Sequence, residues 1–271
     1  MTASPTNVAA PTAKWPRLVR GLLCWGTFCV APLGWFVRGR FIRRMEPERL
    51  DAGLVLVLPG IEGRSFLNMA VLRGLLDADV PYAIDIVDWT TGNKFLVLYH
   101  LRAWRRNLRI AAELAARIAE YRRTHPGRPV WIIGHSGGGG MALLTTMALP
   151  DDVRLTGLVL LAAAVSPKFD LSAVRGKVER GVWSFHSWID CLFVGLGTTV
   201  FGTLDGWHGP AAGMIGLRQP TSDDGLPPLQ QTRHSWAMVR QFHLGGHFGC
   251  VHRVFIAESV APILLQKDAQ G

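Results

Sequence analysis

Cysteine is scarce in this chain and follows no pattern. Its four copies, Cys24, Cys29, Cys191 and Cys250, form no C-x-x-C pair and no Cys/His set with metal-ligand spacing. A disulfide framework, a metal site and a cofactor are therefore not expected, and the redox compartment is left open. No internal repeat is present, so a repeat architecture is excluded as well. Positive charge is nearly absent as an excess outside the N-terminus. Of the formal net charge of +9, residues 1–50 hold eight basic residues (Lys14, Arg17, Arg20, Arg38, Arg40, Arg43, Arg44, Arg49) against Glu46 and Glu48. The remainder is close to balanced, which argues against nucleic acid as a partner.

What the chain does have is apolar residues. A hydrophobic share of 49% and a mean hydropathy of +0.20 are high for a soluble enzyme, and 271 residues suit one large α/β domain or a domain with a short appendage. Residues 1–16 are rich in Pro, Ala and Thr. Residues 21–37 then run without a charge, between Arg17 and Arg20 on one side and Arg38, Arg40, Arg43 and Arg44 on the other, with Trp15, Trp25 and Trp35 in or beside them. A spanning helix needs about 20 apolar residues, with a lower limit near 17. Pro32 and the glycines weaken this one further, and no A-x-A cleavage site follows. The expectation is a basic, hydrophobic segment over 1–50, with residues 15–44 attaching the protein to a membrane. The alternative is a hydrophobic helix packed on the enzyme body, which leaves a cytoplasmic location. The globular domain is expected over 51–271.

Within it the organising stretch is residues 129–149. Val130-Trp131-Ile132-Ile133 reads as a buried strand, Gly134-His135-Ser136-Gly137-Gly138 matches G-x-S-x-G, and a helical pattern (Met141, Leu144, Thr145, Ala148) follows at once. Strand, glycine-tight turn and helix is the setting a nucleophile elbow needs, because the turn lifts the Ser136 hydroxyl above the sheet edge. The other strands expected are Leu54–Leu58, residues 82–87, residues 158–162 and Val182–His186. Helices are expected over 65–76, over about 95–123 as one or two pieces, and from Val251 onward. Alternation of this kind gives a mostly parallel sheet covered by helices on both faces.

A serine nucleophile needs a base, and the base an orienting carboxylate. Asp190 follows the strand at 182–186, where a loop acid emerges at the carboxyl edge of the sheet. Asp205, in an Asp-Gly turn, and Asp170 are its rivals. For the base, His247 lies in Leu244-Gly245-Gly246-His247-Phe248-Gly249 before the last helix, with His243, His252 and His135 as alternatives.

The elbow, Ser187-x-x-Asp190 and the late Gly246-His247 together resemble the α/β-hydrolase superfamily, over roughly residues 52–266. The likeness implies acyl-enzyme chemistry. Ser136 would attack, His247 would relay the proton, Asp190 would hold the imidazolium, and the amides of Gly137 and Ile61 would form the oxyanion hole. The loop Pro59-Gly60-Ile61-Glu62-Gly63 lacks the HGGG form of some lipases. Only 54 positions separate Ser136 from Asp190, so little or no cap and an open, apolar site are expected. The expected activity is hydrolysis of a small-molecule or lipid acyl ester. Acyl transfer on the same triad and a non-catalytic, membrane-attached binding module are the alternatives.

Overall fold

The computed structural model describes residues 15–29, 43–220 and 224–266. Among the described residues seven strands form one sheet: β1 (Arg43–Arg44), β2 (Leu54–Leu58), β3 (Ala83–Ile86), β4 (Val130–His135), β5 (Gly157–Leu161), β6 (Val182–His186) and β7 (Leu229–Arg233). Their order is β1-β3-β2-β4-β5-β6-β7, parallel throughout except for β1, which runs antiparallel on β3. Strands β2 to β5 are buried along their whole length, and that is why their sequences read as unbroken apolar runs.

Alternate residues feed two cores. Leu54, Leu56, Leu58, Ile132, Leu158 and Leu160 face α5 (Trp104–Thr124) and α6 (Gly137–Met147). Val55, Val57, Ile133, Val159 and Leu161 face α3 (Phe66–Asp77) and the C-terminal helical segment. This is the two-residue period of a strand read directly in packing. A short helix, α2 (Pro47–Ala52), leads into β2, and α3 starts at a capping box in which Ser65 and Asn68 satisfy each other's backbone amides. The one charge in the buried strands, Asp85, is held by Arg43 at 2.8 Å and Arg117 at 2.6 Å, so the pairing that a buried carboxylate demands is met.

Several elements differ from the sequence expectation: β1 is an added short edge strand, and the helix expected from Val251 onward is split into Arg253–Phe255, a π-helical turn at Ile256–Val260 and Ala261–Leu265. The pattern over 95–123 breaks into a 3₁₀ turn (Lys94–Leu96), α4 (Val97–Arg102) and α5. The strand β7, LQQTR, carries no apolar alternation because it lies at the sheet edge with only Leu229 buried.

Among the described residues no helix is long and apolar enough to cross a membrane. Of the uncharged run at 21–37, residues 21–29 belong to α1 (Arg17–Cys29), and residues 30–37 lie outside the described residues, as do 38–42 of the expected membrane-attaching segment. Helix α1 lies on α3 and the C-terminal segment with Gly21 and Cys24 buried. Arg20 and Arg253 share Asp77 at 2.7 and 2.6 Å, and His252 Nε2 donates to the Gly21 carbonyl at 3.1 Å. Phe242 fills the space in front of Gly21, where a Cβ has no room.

Candidate active site

Ser136 stands between β4 and α6 with φ 54° and ψ −122°, a left-handed backbone that a non-glycine residue adopts only when its surroundings enforce it. Its amide continues the ladder to Leu161 O at 2.9 Å, and its carbonyl accepts from Ala164 and Gly139 at 3.0 and 2.9 Å. The flanking glycines are required by packing. A Cβ on Gly134 would sit 2.5 Å from Gly138 O, and one on Gly138 would overlap the carbonyls of Leu58 and Pro59. The G-x-S-x-G spacing is therefore the condition for α6 to cross this close to β2 and β4.

Of the three candidate acids, the structure brings Asp190 to His247. Asp190 Oδ2 accepts from His247 Nδ1 at 2.6 Å, and both side chains are buried. With Nδ1 donating, Nε2 is the basic nitrogen, and His247 and Ser136 line one cavity. Among the described residues no hydrogen bond joins Ser136 Oγ to the ring; a hydrogen bond between nucleophile and base commonly tightens only when substrate binds. Asp205 is occupied elsewhere, accepting from the Ser166 amide at 3.0 Å and the Thr203 hydroxyl at 2.5 Å. Asp170 is an exposed cap on the Ser172 amide at 2.9 Å.

The rival histidines act as struts. His135 Nε2 donates to the His247 carbonyl at 3.1 Å, and His234 Nε2 to the His243 carbonyl at 3.1 Å. His243 Nδ1 accepts from the Gly245 amide at 3.1 Å, and His252 is bound to α1 as above. Burial is the main force pushing His135 and His243 down to about 3 and His252 to about 4; the nearby His247 adds to it for His135, and His234 and His252 for His243. All three stay neutral in the fold, whereas an unfolded chain protonates them below the ordinary value of 6.5. Stability is thus complete above pH 6.5 and drains as pH falls from there towards 4, at up to about 1.4 kcal/mol per pH unit for each ring. Three rings together remove several kcal/mol by pH 5, a large part of a typical stability. The urea midpoint is expected to fall steeply between pH 7 and 5; a flat profile would show that the struts can take up protons in place.

The loop after β2 is fixed at three successive carbonyls. Trp89 Nε1 donates to Pro59 O at 2.6 Å, Gly63 N to Gly60 O at 3.0 Å, and His100 Nδ1 to Ile61 O at 3.0 Å. The His100 tautomer follows from its other nitrogen, which accepts from the Thr91 amide at 3.1 Å. In a trans peptide N–H and C=O point oppositely, so clamping Gly60 O aims the Ile61 amide away from the turn. A Cβ built on Gly137 would lie 3.6 Å from Ile61 N and 2.7 Å from Ile61 Cγ2, which puts the two candidate oxyanion donors side by side. Among the described residues neither amide has a partner within the protein. Trp89 and His100 carry no local sequence signal for this role.

The cavity in front of Ser136 has a volume of about 970 Å³. Its walls are almost wholly apolar, with Phe28 and Cys29 from the end of α1, Leu98 and Leu101 from α4, and Phe193 and Val194 from the segment after β6. Glu62 borders it, with Ser65 Oγ 3.5 Å from its carboxylate.

A family model described as "Serine aminopeptidase, S33" matches residues 101–194, a segment that contains Ser136 and Asp190 and stops short of His247. No curated protein matches this chain in sequence. Among solved structures, esterase PE8 superposes with a TM-score of 0.46 at 16% identity, over 79% of this chain and 91% of that one. A predicted CIB-like hydrolase from Thermoplasma acidophilum gives 0.40 at 17%, over 82% and 86%. The thioesterase domain SrfTE, which cyclises the lipopeptide surfactin, gives 0.37 at 11%, over 79% and 89%.

Proposed function

We propose that this chain, an α/β-hydrolase by its sheet and by the family match over residues 101–194, is a serine esterase acting on carboxylic esters. The observation that carries the reading is the 2.6 Å contact of Asp190 with His247 Nδ1, beside Ser136 in one apolar cavity. Ser136 Oγ attacks the ester carbonyl as its proton passes to His247 Nε2, and Asp190 stabilises the imidazolium. The negative oxygen of the tetrahedral intermediate receives the amides of Gly137 and Ile61. The C–O bond then breaks, His247 protonates the leaving alcohol, and water repeats the sequence on the acyl-enzyme to release the acid.

A second reading is cleavage after an N-terminal residue, the activity in the description of the matching family. Glu62 is the group that would receive the substrate ammonium. One assay separates them. A fluorophosphonate should label Ser136 on peptide mapping, and p-nitrophenyl butyrate should be turned over in preference to alanine p-nitroanilide. A label on any other residue would sink the nucleophile assignment, and the reverse substrate order would favour the peptidase.

The clamped loop gives a milder expectation. Trp89→Phe keeps the ring and removes the donor to Pro59 O, so the Ile61 amide loses part of its fixed direction. Removing an oxyanion donor outright costs about 10²–10³ in kcat; loosening one should cost roughly tenfold with KM retained. Unchanged kcat in the folded variant would separate Trp89 from catalysis.

A further inference from the structure

The mouth of the cavity is edged by large apolar side chains that the fold leaves in water. On one bank Phe95 is 85% exposed and Leu98 is exposed beside it; on the other, Leu192 and Leu196 are 63% and 60% exposed, and Val200 and Phe201 are exposed as well. All six also line the cavity. Single exposed leucines are ordinary, but a contiguous apolar patch marks a surface that meets something. The banks are tied together, since Arg102 Nη1 donates to the Phe201 carbonyl at 2.9 Å.

Charge narrows what that something is. Residues 94–112 contain Lys94, Arg102, Arg105, Arg106 and Arg109 and no Asp or Glu, and residues 191–204 on the facing bank contain no acidic residue. Arg102, Arg105 and Arg109 are exposed, as is Trp104 among them; Arg109 is paired with Glu113 at 3.8 Å, which leaves Arg102 and Arg105 as the cations nearest the rim without an acidic neighbour in the segment. An apolar rim bordered by arginine and tryptophan matches the boundary of acyl chains and anionic headgroups. A protein partner or a second copy of this chain seated on the rim would close the mouth over Ser136 and His247, whereas a lipid surface would feed it. We propose that this rim docks on an anionic lipid bilayer and that the substrate is a long-chain acyl ester drawn from it directly into the cavity. The substrate half of this rests on the esterase reading; the docking half does not.

The test uses the full chain and two readouts. Ser136→Ala protein, which leaves the vesicles chemically intact, is floated with phosphatidylglycerol vesicles and with phosphatidylcholine vesicles. Leu96→Asp/Trp104→Asp, at two bank positions outside the cavity lining, is compared in the Ser136→Ala background for binding and in the active background for turnover. Most of the protein should float with phosphatidylglycerol, at least tenfold more than with phosphatidylcholine, and the double substitution should reduce that at least tenfold. The active double variant should cleave soluble p-nitrophenyl butyrate at the parent rate and a long-chain ester carried in phosphatidylglycerol vesicles at least tenfold more slowly. Protein left unfloated with phosphatidylglycerol vesicles, or a double variant that floats as well as its parent, overturns the proposal. So does a dimer in free solution that the double substitution splits, because the rim is then a protein interface. Vesicle binding that persists in a chain whose active form cleaves neither ester and takes no fluorophosphonate would uphold the docking and remove the esterase reading.

Discussion

Ser136→Ala is expected to lower kcat on a soluble ester by at least about 10⁴-fold, with a rate above that in water surviving from binding and the oxyanion donors. KM and the melting temperature should stay near those of the parent. The stability half follows from the structure: the residue holds its place by backbone hydrogen bonds to Leu161, Ala164 and Gly139, and alanine keeps all three. No other group in the described chain relies on the Ser136 hydroxyl for a hydrogen bond, so its loss orphans nothing. The strained backbone at φ 54° remains with either side chain. A change at the neighbouring Gly138 cannot replace this experiment, since a methyl group there meets the carbonyls of Leu58 and Pro59 and would displace α6 whatever the chemistry. Near-parental turnover in folded Ser136→Ala would end the serine mechanism.

How far the site could be read from sequence depended on whether a residue's reason for being there was local. Strands β2, β4 and β5 are buried on both faces, so an apolar run announced each. The elbow is local too, because its glycines, strand and helix are contiguous. The edge strand β7 was not legible. Its place is fixed by pairing with β6, Val182 opposite Leu229 through His186 opposite Arg233, and that register leaves no period in LQQTR. Trp89 and His100 were missed for a related reason. They reach Pro59 and Ile61 across 30 and 39 positions, and nothing near either residue hints at the contact. The apolar face of α1 could be read but not assigned, because composition records that leucine, cysteine and phenylalanine want an apolar neighbour without saying whether it is lipid or protein. For Cys24 and Phe28 it is protein, at Arg253 and beside His252 and Phe248.

The choice of acid is where a single substitution separates two readings that sequence left open. Asp190→Asn is expected to lower kcat by about 10³–10⁴-fold at neutral pH with the fold intact. The carboxylate accepts the Nδ1 proton of His247 at 2.6 Å with both groups out of water. A carboxamide can turn its NH₂ towards Nδ1, which moves the ring proton to Nε2, the nitrogen that must accept from Ser136. It also removes the negative charge that would steady the imidazolium. Asp205→Asn should behave differently. Asp205 accepts from the Ser166 amide and the Thr203 hydroxyl, joining the loop after β5 to the turn before Trp207, and the amide oxygen of asparagine can keep part of that bonding. The cost there is on the order of 1–2 kcal/mol in stability, read as a shift in the urea midpoint with kcat near the parent value. If Asp205→Asn loses turnover and Asp190→Asn keeps it, the acid is Asp205, and the segment from 187 to 212 must rearrange on binding substrate to deliver it.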